Sequence, residues 1–126
     1  MNLIQRLFNK RNPQREDQHI VTITEDTVSV YHPKWSNELV HWKNIHTALL
    51  INTDKGPWLP DVWLTLIDDN GKCMIPQGAK GFEQVYDIVS KFDGFDFENA
   101  LKSMSCTDNA EFLLWTRSNQ PNEEDI

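Results

Sequence analysis

A chain of 126 residues with 39% hydrophobic content suits one globular domain that buries roughly two-thirds of its unfolded surface. Its formal charge of −7 argues against a phosphate-gripping nucleic-acid surface, its two cysteines are too few for a disulfide scaffold, and no apolar run is long enough to span a membrane as a helix. The charge is uneven: residues 1–18 carry +2, whereas 8 basic and 14 acidic residues from His19 to Arg117 leave −6. Such a body favours a basic protein partner, although acidity also serves plain solubility.

The first segment, 1–18, reads as a basic N-terminal arm in which Leu3, Ile4, Leu7 and Phe8 share a helical spacing that breaks at Pro13. Met1 to Asn12 lacks the apolar core of a signal peptide, so the expected compartment is the cytoplasm. From His19 to residue 117 a single α+β domain is expected, and residues 118–126 read as an acidic, disordered tail.

Within the domain the period is first two. Val21 and Ile23 alternate with polar residues, as do Val28 and Val30, and the Glu25-Asp26 turn pairs Ile23 with Val28. Pro33 to Asn37 reads as a loop, Leu39 to Trp42 as a strand, and Asn44 to Thr53 as another with Ala48 and Leu50 on one face. Two further strand-like runs flank Asn70-Gly71, a preferred pair for a type I′ turn, which would place Asp69 opposite Lys72 and Leu66 opposite Ile75.

The period then becomes 3.6. Phe82, Val85, Tyr86, Val89 and Phe92 predict a helix over 81–92 with Gly94 as its C′ residue. Asp96 is placed to cap a second helix over 96–105, whose stripe is Phe97, Ala100, Leu101 and Met104. Phe112 to Trp115 reads as a closing strand. The expected fold is an antiparallel sheet of five to seven strands with both helices packed near the C-terminus. Val21, Ile23, Val28, Val30, Leu50, Leu64, Leu66, Val85, Val89, Leu101 and Trp115 are its expected core.

Chemistry-bearing residues are sparse. His41 and His46 are separated by an odd number of residues and so would face opposite sides of a strand, while His19 and His32 have no nearby ligand at metal spacing. Cys73 and Cys106 lack zinc spacing and read as buried thiols, so no metal or cofactor is expected. The connector between Thr53 and Asp61 is different, because Gly56, Pro57 and Pro60 brace it while Trp58 gives it an aromatic anchor. Thr53, Asp54, Trp58, Asp61, Gln77, Asp108 and Asn109 are therefore the candidate binding residues, though Asp54 and Asp61 suit a turn-stabilising role equally well. Trp35 in its polar loop offers a second aromatic anchor or a lid over the core.

Trp42, Thr53-Asp54-x-Gly56-Pro57, Asp61-Val62-Trp63, Ile75-Pro76-Gln77-Gly78-Ala79, Gly94-Phe95-Asp96 and Thr107-Asp108-Asn109-Ala110-x-Phe112-x-x-Trp115 together resemble a family of short bacterial proteins of unknown function. The resemblance covers roughly residues 39–117 and implies no particular activity. Leu39-Val40-His41-Trp42-Lys43-Asn44-Ile45 separately resembles the strand and W-x-x-I turn of bacterial PH-like domains, from which two helices before the final strand depart. That likeness implies a binding scaffold without naming a ligand. The functional expectation is a non-catalytic protein–protein interaction module, in one form neutralising a basic toxin as immunity proteins do. A small hydrolase using Asp54, Asp61 or Asp108 with a histidine is the alternative.

Overall fold

A computed structural model describes residues 18–53, 62–106 and 108–117, with Trp35 and Ser36 described in backbone only. The basic arm, the connector from Asp54 to Asp61 and the acidic tail lie outside the described residues. The fold is α+β, with its seven strands divided between two antiparallel sheets. Strands β1 (Ile20–Ile23), β2 (Thr27–His32) and β3 (Trp35–His41) form a meander. Strands β4 (Thr47–Asn52), β5 (Val62–Asp68), β6 (Gly71–Pro76) and β7 (Ala110–Thr116) form a second sheet in the order β6-β5-β4-β7. Helices α1 (Phe82–Ser90) and α2 (Phe97–Ser105) connect β6 to β7.

The first hairpin has the expected register, Ile23 opposite Val28 and Val21 opposite Val30. Thr24 closes its turn by accepting the amides of Asp26 and Thr27 on one hydroxyl. Two local expectations are corrected. The stretch from Pro33 to Asn37 is mostly strand, because β3 begins at Trp35 and leaves only a two-residue connection after β2. In the β5–β6 hairpin, Asp68 faces Gly71 and Leu66 faces Cys73, a shift of two residues from the Asn70-Gly71 register. The buried Asp68 carboxylate captures the Asn70 amide at 2.8 Å, so the turn is an Asx turn over Asp69 and Asn70. Among the described residues only Gly81 and Gly94 have positive φ, which rules out type I′ there. A two-residue slip preserves the faces, so Val62, Leu64, Leu66, Cys73 and Ile75 still point inward.

The core lies between the sheets and under α1, where Val28, Val40, Leu50, Leu64, Leu66, Phe82, Val85 and Val89 are fully buried. Val21 and Ile23, expected inside, pack on it from half-buried positions. Gly81, the α1 N-cap at φ 100°, lies so close to β1 that a Cβ would stand 2.8 Å from that of Val21. Helix α1 ends at Ser90, earlier than expected, and Gly94 (φ 90°) serves the following turn instead, which Phe95 N–H closes onto Phe92 O.

Helix α2 is rotated from its expected orientation. Leu101 is 57% exposed, as is Phe97, while Ala100 and Ser103 are buried. The cause is polar. The Ser103 hydroxyl donates to Asn52 Oδ1 at 2.7 Å, and Asn52 Nδ2 donates to the Ser103 and Cys106 carbonyls. With about 100° per residue, turning Ser103 inward points Leu101 outward. Asp96 caps the helix as expected, accepting from the Asn99 amide at 2.9 Å.

Cys73 and Cys106 are both free, but only Cys73 is buried. Burial, and to a lesser degree the Glu38 carboxylate, pushes the Cys73 thiol up from 9.0 to about 12. A folded-state value above the unfolded one stabilises the protonated form, so this contribution is complete below pH 9 and is lost as pH rises towards 12. At pH 8 a thiol reagent is expected to titrate one cysteine in the folded protein, Cys106, and the second only after denaturation. Urea unfolding of Asn52→Ala is expected to show a loss of about 2–3 kcal/mol, since the Ser103 hydroxyl and the Cys106 carbonyl lose their Asn52 partner, whereas the Ser103 carbonyl keeps the Cys106 amide.

Candidate functional site

Four of the seven candidate residues fall within the described structure, at one end of the four-stranded sheet. Gln77 N–H donates to Val62 O, Val62 faces Asn52, and Asn52 faces Ala110, so Gln77, Thr53 and Asp108-Asn109 all follow or precede the same row. Strand spacing nevertheless separates Gln77 from Thr53 by about 10 Å. Thr53 is half-buried and Asp108 and Asn109 are exposed, but Gln77 is only 1% exposed. Neither polar atom of its carboxamide has a hydrogen-bond partner among the described residues. Each such buried group costs about 1–3 kcal/mol if left unmet. Asp54, Trp58 and Asp61 lie outside the described residues.

Two of the histidines pack together. His19 and His32 are buried with ring centroids 4.5 Å apart, and the His32 Nδ1 accepts the Lys34 amide at 3.0 Å. His46 sits 3.4 Å from Asp69. It precedes β4, whereas Asp108 precedes β7 beside the far end of that strand, a separation of roughly 17–20 Å. Those two residues are therefore too far apart to share a proton. Among the described residues, no cluster of three potential metal ligands occurs.

A different surface combines shape with fixed aromatic side chains. At the opposite end of the sheet, a groove of about 620 Å³ opens between the β1–β2 turn, the 3-10 turn Trp42–Asn44, the end of α1 and the end of β7. The groove is lined by Trp42, Ile88, Phe92 and Trp115, with charged groups at its rim. Strand β3 cannot continue past His41, because the Ile45 amide bonds the Trp42 carbonyl and closes the 3-10 turn. That turn swings the Trp42 indole under the first hairpin, where its Nε1–H donates to Thr24 O at 3.0 Å. Trp115 is fixed the same way, its Nε1–H donating to Asp93 O at 2.9 Å and its ring 4.8 Å from that of Phe92. Both indole donors are thus spent on the backbone, so the rings present apolar surface in set orientations.

Arg117 joins the two walls. Its Nε and Nη2 donate to Ile45 O at 3.0 and 2.6 Å, and Nη2 also reaches Lys43 O at 3.1 Å. The guanidinium lies 5.3 Å from the centre of the Trp115 ring, within cation–π range. Glu25, Lys43 and Asp93 stand at the groove with no ion pair among the described residues. Locked aromatic surface ringed by unpaired charge is suited to holding an apolar or planar side chain of another molecule.

From sequence, Trp42 and Trp115 read as strand-face residues, outside the set of candidate binding residues. The groove assembles residues from Thr24 to Arg117, so the available signal was only the surplus of tryptophans near element ends. No family model, curated protein or solved structure matches the chain. Arg117→Lys is expected to lower stability by about 1–2 kcal/mol in urea unfolding, because an ammonium cannot satisfy two carbonyls through the guanidinium fork. The same variant should red-shift tryptophan emission as Trp115 loses its cover.

Proposed function

We propose that this chain is a non-catalytic, cytoplasmic protein–protein interaction module that docks a basic protein partner at the groove formed by Trp42, Phe92 and Trp115. The observation that carries this reading is the immobilised pair of indoles, whose N–H groups are bonded to Thr24 and Asp93 carbonyls. Preformed aromatic surface binds without a large loss of side-chain freedom, and tryptophan is the residue type most enriched among binding hot spots. The charge of the partner follows from the net charge of the body. The span from His19 to Arg117 carries −6, which draws a basic protein to this surface and repels an acidic one. At the groove itself, Glu25 and Asp93 are balanced by Lys43 and Arg117, so the preference for a basic partner rests on the acidic body around it. In its most specific form, the reading is neutralisation of a basic toxin in the manner of immunity proteins.

The test compares capture by the full chain with capture by Trp42→Ala and by Glu25→Gln/Asp93→Asn, from a lysate of the source cell. The expected result is a basic partner held by the full chain and weakened at least 30-fold by Trp42→Ala, about 2 kcal/mol at a hot spot. The double charge variant should slow association and reduce its salt dependence. Capture unchanged by either variant, with their circular dichroism intact, would overturn the assignment of the groove, and an acidic partner would overturn the assignment of its charge.

A further inference from the structure

We infer that the Gln77 carboxamide anchors a buried water-binding site in the corner where the two sheets meet, separate from the aromatic groove. Gln77 follows β6 directly, and its amide bond to Val62 O at 3.0 Å holds its backbone on the β5–β6 ladder. The corner is closed on its other side by β1, where Ile20 forms a parallel bridge to Lys80, three residues after Gln77. Trp63, opposite Pro76, packs edge-on against His19 with ring centroids 5.7 Å apart. The Gln77 side chain is 1% exposed, with Oε1 and Nε2 both unpartnered among the described residues.

A carboxamide offers two donors and an acceptor, and a methionine of nearly the same shape would fill the space without any polar demand. A glutamine in this position requires a polar occupant that can both accept and donate. Water meets that requirement in the smallest volume, and proteins hold roughly one buried water per 27 residues, usually on polar groups that lack protein partners. An organic amide or acid has the same complementarity, so the experiment separates the two sources.

The decisive measurement is made on the full, unsubstituted chain, by nuclear Overhauser and rotating-frame transfer from water to the Gln77 side-chain NH₂ protons. A cross-peak of the sign given by water residing longer than a nanosecond is expected, and native mass spectrometry is expected to show the bare polypeptide mass. No water contact at these protons, or a retained organic ligand, would overturn the proposal. The variant Gln77→Met adds a readout of opposite sign for the competing case. It strands a water and is expected to lower the thermal midpoint by about 4 °C. If the carboxamide were simply unmet, its removal would raise the midpoint.

Discussion

Exposed sheet edges are the constraint on which the rest of this structure depends. Splitting seven strands between two sheets creates four edges, and each unpaired edge is a row of free amides and carbonyls that invites association. Local covers are supplied to all four. Strands β3 and β6 run beside each other, and the Glu38 carboxylate of β3 accepts the Met74 amide of β6 at 2.7 Å, a charge-assisted bond across the seam. Strand β1 meets the segment after β6 through the Ile20–Lys80 bridge. At β7, Leu114 O accepts the Asp96 amide and Leu113 O accepts the Asn99 side chain, so the start of α2 covers that edge.

These closures explain two features that apolar patterning alone does not. Glu38 lies at a seam, and its charge adds to burial in suppressing ionisation of the neighbouring Cys73. Helix α2 exposes Phe97 and Leu101 because its orientation is governed by hydrogen bonds to β4 and β7, made by Ser103 and Asn99. A satisfied buried network outweighs the burial of one leucine here, since breaking it would leave several polar groups unmet at about 1–3 kcal/mol each.

The groove is a further consequence of the same closure. The C-terminal strand lies antiparallel to β4, with Thr116 opposite Thr47, so Arg117 arrives beside the turn that follows β3. From there its guanidinium reaches the Ile45 and Lys43 carbonyls and brings the Trp115 wall against the Trp42 wall. The indole of Trp42 in turn fastens this turn to the first hairpin. The groove is thus held by backbone acceptors in different parts of the chain, which fixes its aromatic walls.

By itself, the sequence determined the element types, the order of strands before helices, the first hairpin and the inward faces of β4, β5 and β6, because periods of two and 3.6 are written in neighbouring residues. It also identified Asp96 as a cap, a contact spanning three positions. It did not determine that the strands divide into two sheets, since edge closure is made between residues such as Glu38 and Met74, 36 positions apart. The β5–β6 register departs from the one Asn70-Gly71 predicts because a buried Asp68 side chain outcompetes the backbone preference of that pair. The rotation of α2 and the gathering of Trp42, Phe92, Trp115 and Arg117 into one groove were decided by tertiary structure alone. Both depend on long-range hydrogen bonds to backbone carbonyls and to buried polar groups, whose positions exist only once the chain has folded.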